Sequence, residues 1–221
     1  MNISGNFSTT EREINAVKTY LQSLGLNTFN CKFIKYGERD GIITNAATDG
    51  DILVRFPNGF QKLFEVKEER IGRIRKYNQL GIDFISAFYN NIDSGIYKPN
   101  TFNDFIKRIN PEDKRFKWGK LENSRADIWL FYAINENNYY EFLDGYNFNK
   151  MKYGNFSEHL FKKCEFAVNN KTAEQLSYTD TWKSATFFID RDDQVLESYR
   201  IKNVEELLST NGFEKNILKH F

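Results

Sequence analysis

The chain is poor in the residues from which zinc sites are made. Two cysteines, Cys31 and Cys164, and two histidines, His159 and His220, are too scattered over 221 residues for the usual Cys/His ligand spacing. So few cysteines fit a reduced, cytoplasmic protein. No apolar run approaches the ~20 residues of a membrane span, and Met1–Gly5 lacks the basic and apolar regions of a secretion signal, so no membrane association is expected. A Gly-rich phosphate loop is missing as well, which argues against a nucleotide cofactor. Neither charge is in surplus. With 31 basic and 30 acidic residues, the net charge of +1 neither favours nor excludes a nucleic-acid partner, because the two signs can still be sorted into patches. There is no internal repeat and no low-complexity linker.

Aromatic residues, by contrast, are abundant. Phenylalanine (21) and tyrosine (12) bring the aromatic share to 16%, which points to a packed core rather than disorder. The length suits a single domain over residues 1–221, with a core at about 8–135 and a C-terminal elaboration at about 136–221.

The stretch from Asp51 to Lys67 organises the rest. Ile52-Leu53-Val54-Arg55-Phe56 is β-branched and aromatic, Pro57-Asn58-Gly59 is a turn signal, and Phe60–Val66 resumes the apolar pattern, so a β-hairpin is expected. Alternation along the second strand puts Leu63, Glu65 and Lys67 on one face and Phe64 and Val66 on the other. A three-residue loop sets Asp51 opposite Glu65; a two-residue Asn-Gly loop sets it opposite Val66. In the first register two carboxylates lie about 5 Å apart at their Cβ atoms. Such a pair repels unless neutralised, and Mg²⁺, which prefers one or two carboxylates with water and phosphate oxygen, is the natural neutraliser. Lys67 adds a compact positive charge suited to a phosphate or an attacking water.

Asp51 followed, after thirteen intervening residues, by Glu65-Val66-Lys67 resembles the PD-(D/E)XK nuclease superfamily of restriction endonucleases and archaeal-type Holliday junction resolvases. Gly50 stands where the motif name has proline, a variant of the resolvase type. The resemblance covers about the first 130 residues. It implies an α/β (α+β) fold, a restriction-endonuclease-like core whose mixed central β-sheet is flanked by helices. It also implies a DNA phosphodiesterase dependent on Mg²⁺ or Mn²⁺, with Asp51, Glu65 and the Val66 carbonyl holding the metal and Lys67 positioning or deprotonating water. Glu13 matches the helix glutamate that assists in many members.

The residues around that core suit the same expectation. A helix opening near Ser8–Glu13 runs to about Leu24 and stops at Gly25, with Ile14, Val17, Tyr20, Leu21 and Leu24 as its buried stripe and Glu13 at the stripe's edge. Ser8 with Glu11, or Thr10 with Glu13, also forms an S/T-x-x-E capping box, so Glu13 is either a cap or an inward acid. After Lys67, an amphipathic helix over Glu68–Gln79 presents Arg70, Arg73 and Lys76, with Gln79 at its end, as candidate DNA contacts. Ile82–Tyr89 fits either helix or strand, and Asn90–Asn103 reads as a loop. The most basic stretch, Phe105–Lys120, interleaves Lys114, Arg115 and Lys117 with Phe116 and Trp118, suiting a backbone-gripping arm with a base-contacting ring. Ala126–Ile134 is a buried strand whose Asp127 is a strand-end residue, and Tyr139–Leu143 a second strand. Beyond them the pattern predicts a short amphipathic segment at Phe148–Tyr153, strands at Ala185–Ile189 and Val195–Ile201, and a helix at Val204–Leu208.

A restriction or defence endonuclease is the first functional expectation, since nearly half the chain lies beyond the core and is free to read DNA. A junction resolvase comes second, and a catalytically silent DNA-binding module is the rival from another class. Double-strand cutting would imply a homodimer.

Overall fold

A computed structural model of the chain describes residues 9–35, 38–39, 42–43, 51–89, 92–109, 111–172 and 181–210. Helix α1 (Thr9–Ser23) buries Ala16, Val17, Tyr20 and Leu21. It ends as expected at Gly25, whose φ of +87° lets the Gly25 N–H reach the Gln22 carbonyl and the Leu26 N–H the Leu21 carbonyl. Strands β1 (Lys32–Lys35), β2 (Glu38–Arg39), β3 (Ile42–Ile43), β4 (Ile52–Arg55) and β5 (Gln61–Glu68) follow, with β2 and β3 paired only to each other.

The β4–β5 hairpin has the three-residue loop. The Phe56 N–H donates to the Phe60 carbonyl at 2.8 Å, Gly59 takes a φ of +84°, and Ile52 pairs with Phe64. Helix α2 (Ile71–Tyr77) leads away to β6 (Gln79–Phe88), β7 (Gly95–Tyr97), α3 (Phe102–Arg108) and β8 (Lys117–Trp118). The chain returns through the short helix α4 (Lys120–Asn123) into β9 (Ile128–Ile134), which lies parallel to β5. Strand β10 (Tyr140–Asn147) completes a mixed sheet in the order β1-β4-β5-β9-β10. The fold is thus α+β, with the mixed sheet that the sequence leads one to expect.

A second five-stranded sheet is the feature that the sequence conceals. After α5 (Phe148–Tyr153) and α6 (Phe156–Lys163), β11 (Phe166–Thr172) and β12 (Thr181–Asp190) pair with each other, and the whole sheet, entirely antiparallel, runs β7-β11-β12-β6-β8. One buried cluster joins Leu53, Leu63, Trp129 and Phe131 of the first sheet to Ile82, Phe84, Phe187 and Ile189 of the second. A second cluster packs Ile52, Phe64, Val66 and Leu130 against α1. Apolar side chains alternate between these two cores, as strand geometry requires. Helices α7 (Gln194–Glu197) and α8 (Val204–Leu208) close the described chain. Arg191 and Arg200 grip the Asp144 carboxylate on β10 at 2.8 and 3.0 Å.

Several local expectations change. Gln79 opens β6 opposite Asp190 instead of ending a helix. Asn90–Asn103 contains β7, a 3-10 turn and the start of α3. The apolar residues of Val195–Ile201 begin in α7, not in a strand, because the Asp193 carboxylate accepts the N–H groups of Val195 and Leu196 and so nucleates a helical turn. Ser8, Asp49, Gly50 and Tyr178 lie outside the described residues. No helix among the described residues is long and apolar enough to cross a membrane.

Candidate active site

Of the two registers left open by the sequence, that of the three-residue loop is found up to Ile52, and Asp51 sits one residue beyond the paired ladder. Its N–H donates to the Phe64 carbonyl at 2.8 Å, and its carboxylate accepts the Val66 N–H at 2.7 Å. A carboxylate thus closes the end of the hairpin where another strand residue would otherwise pair. The Val66 carbonyl projects from the same side of β5 as its N–H.

Glu65 occupies the face of β5 that turns toward the second sheet and is only 4% exposed. Burial, and then the negative charge of Asp51, push its carboxyl up to about 7, while Lys120 and Ser124 pull the other way. Its Oε1 receives the Lys120 ammonium at 2.7 Å and its Oε2 the Ser124 hydroxyl at 3.1 Å. Burial and the charge of Asp51 also raise Glu13, with Lys35 and Lys120 opposing. The α1 acid therefore feels Asp51 and Lys120, two members of the same cluster. The Thr10 hydroxyl accepts a hydrogen bond from the Lys35 ammonium at 2.7 Å.

Lys67 shares the Glu65 face but turns to β6. Its ammonium donates to the Gly81 carbonyl at 2.5 Å and to Asp83 Oδ2 at 2.9 Å, with Glu69 4.0 Å away. Asp83 Oδ1 accepts the Thr186 hydroxyl at 2.8 Å. Although 41% of the Asp83 side-chain surface is open, its carboxyl end is crowded, so burial opposes its charge; Lys67 and Thr186 prevail and hold it below the ordinary range. Two of the three ammonium protons of Lys67 are thereby committed, with the Glu69 carboxylate also close by.

Asp127 serves structure, as expected: its carboxylate accepts the Leu63 N–H at 2.9 Å and ties β9 to β5. Among the candidate DNA contacts, Arg73 lies 3.9 Å from Glu69 and 4.6 Å over the Phe188 ring, Lys76 stacks on Tyr77, and Arg70 is exposed. Gln79 belongs to β6. Lys114 and Lys117 are exposed, and Arg115 forks onto Asp113 and covers the Tyr89 ring. The aromatics between them face inward. Phe116 packs edge-on against Trp118, and Trp118 against Phe84, so these rings anchor the segment to the core.

Ser124, Asp83 and Glu69 escaped the sequence reading as site residues, and Lys120 entered it only as the end of the basic stretch, not as a partner of Glu65. A charge interrupting the apolar Ile82–Tyr89 run was the available signal for Asp83. For Lys120 the signal was its place in a short helix just ahead of a buried strand, but a four-residue helix has no periodicity to read.

Among the described residues, no three His, Cys, Asp or Glu side chains are arranged to hold a metal ion. Two carboxylates and a backbone carbonyl nevertheless match the modest protein share of a Mg²⁺ shell, and the cation now on Glu65 is the Lys120 ammonium. Searches of family models, curated proteins and solved structures found no match to this chain.

Proposed function

We propose that the chain is a divalent-cation-dependent DNA endonuclease of restriction or defence type. The observation that carries this reading is the buried Glu65, whose carboxyl is raised first by burial and then by the charge of Asp51 at the start of the hairpin, with Lys67 on the same face of β5. The hairpin followed by a parallel strand agrees with the core that the motif resemblance implies. Asp51, Glu65 and the Val66 carbonyl would hold Mg²⁺ or Mn²⁺, with Glu13 assisting. When bound, such an ion supplies positive charge to a phosphate and acidifies water. Lys67, fixed by Asp83 and Gly81, presents an ammonium to charge developing on the phosphate. Arg70, Arg73, Lys76, Lys114 and Lys117 remain candidates for the DNA backbone.

The test is incubation with supercoiled plasmid, linear duplex and a four-way junction in Mg²⁺, beside Asp51→Asn and Lys67→Ala. Sequence-defined fragments support restriction, and double-strand cuts would further call for a homodimer. Junction-only cutting would assign a resolvase. Binding without cutting would leave the silent module, a reading favoured by the engagement of both Glu65 oxygens.

Two further outcomes follow. Asp83→Ala should lower kcat about tenfold with little change in KM, because it frees the lysine without touching DNA, and Asp83→Glu should restore part of the loss. The second concerns pH. Because the folded-state pKa of Glu65 is raised, the folded chain keeps a proton that the unfolded chain has released, and stability falls as pH rises from the ordinary carboxylate range toward about 7. A metal ion competes with that proton. Thermal melts should therefore show a larger Mn²⁺-induced rise in Tm at pH 8 than at pH 6; equal rises would count against the acid pair as the metal site.

A further inference from the structure

We propose that Lys120 is the resident counter-ion of the acid pair, displaced from Glu65 when a divalent cation binds and then free to grip the substrate phosphate. This rests on the nuclease reading and adds a residue that the Asp51-Glu65-Lys67 motif does not contain.

Both ends of α4 hold one carboxylate. Lys120 contacts Glu65 Oε1 at 2.7 Å from the first residue, and Ser124 contacts Oε2 at 3.1 Å from the residue after the last. The backbone beneath Lys120 cannot drift, because the Gly119 N–H donates to the Phe84 carbonyl at 2.7 Å. Its side chain is different. It is 29% exposed, against 6% for the Glu65 side chain, so the ammonium sits at the open side of a closed carboxylate.

A hydroxyl can stay beside a metal-bound carboxylate, since it donates a proton and carries no charge. An ammonium competes with a divalent cation for the same oxygen, because like charges at that distance repel. Metal entry therefore evicts Lys120 and leaves Ser124. The four-carbon stem lets the ammonium move without the helix, and the anion that arrives with the substrate is a phosphate. Lys67 has no such freedom, being bound to Asp83 and Gly81 of the second sheet. The two lysines thus divide the work: one is fixed, and the other is exchanged.

The experiment titrates Mn²⁺ into the full chain without DNA by calorimetry, for the wild type, Lys120→Met and Lys120→Arg, then measures duplex affinity in Ca²⁺ and cleavage in Mg²⁺. Lys120→Met should bind Mn²⁺ about tenfold more tightly, yet bind DNA more weakly and cut at least about tenfold more slowly. Lys120→Arg should keep wild-type Mn²⁺ affinity. In wild-type protein, the side-chain ammonium resonance of Lys120 should lose its Glu65-bound shift as Mg²⁺ is added; this readout stands even where Lys120→Met fails to fold. Unchanged or weaker Mn²⁺ binding by folded Lys120→Met, or an unmoved resonance at saturating Mg²⁺, overturns the inference while leaving a cutting wild type as a nuclease. A wild type that neither binds Mn²⁺ nor cuts overturns both.

Discussion

Replacing Asp51 with asparagine should reduce Mg²⁺-dependent DNA cleavage by at least about a thousandfold, roughly 4 kcal/mol of transition-state stabilisation, while the chain stays folded. The substitution is close to isosteric, and the asparagine carbonyl can still accept the Val66 N–H that Asp51 accepts at 2.7 Å. Only the charge is lost. That charge is one of the causes that raise Glu65, so its removal relieves a buried carboxylate at alkaline pH. Asp51→Asn should therefore melt at or slightly above the wild-type temperature at pH 8, the pattern of a site that trades stability for activity. Nicking of supercoiled plasmid and a thermal melt on the same preparation check both parts. An Asp51→Asn variant that nicks at the wild-type rate would remove the acid pair from any catalytic role.

Gly119→Ala should destabilise the protein by about 2–4 kcal/mol, at the upper end of overpacking effects. Backbone strain is no part of this, since Gly119 has an ordinary φ of −81°. The cause is space: an added Cβ would lie 2.3 Å from the Asp83 carbonyl oxygen and 2.7 Å from the Phe84 carbonyl carbon. Both are main-chain atoms of β6, which neighbours on both sides hold in place. The methyl must push β8 and α4 away, weakening the Gly119–Phe84 hydrogen bond and shifting Lys120 off Glu65. At about 2–4 °C per kcal/mol for a chain of this size, Tm should fall by roughly 5–15 °C. Gly72→Ala is the control: nothing lies within 4 Å of its added Cβ, and it sits in helix α2, so Tm should hold or rise. Equal melting temperatures for the two variants would contradict the packing described for Gly119.

The hairpin was legible because its determinants are local. Pro57-Asn58-Gly59 marks the turn, though not which of two loop lengths it takes, and alternation sorts Glu65 and Lys67 from Phe64 and Val66. Gly25 ends α1 for an equally local reason. The second sheet was illegible because its strands meet across large separations, Thr186 with Asp83 for example, and because β7 and β8 are three and two residues long. Basic-aromatic alternation around Lys114–Trp118 suggests an arm whose rings face DNA; the packing of Trp118 on Phe84, and of Phe116 on Trp118, is a tertiary choice that composition does not encode. The contacts that complete the candidate site, Lys120 on Glu65 and Asp83 on Lys67, join residues 55 and 16 positions apart, distances at which side-chain meetings depend on the finished fold.

The interleaving of the two sheets bears on how the protein is made. Strand β6, which carries the anchor for Lys67, stands between β8 and β12, and β12 is the last strand of the described chain to leave the ribosome. During synthesis the acid pair can form early, while its lysine waits for a hairpin translated about a hundred residues later. If the chain cuts DNA as proposed, a nascent polypeptide would lack its fixed lysine until β12 has emerged.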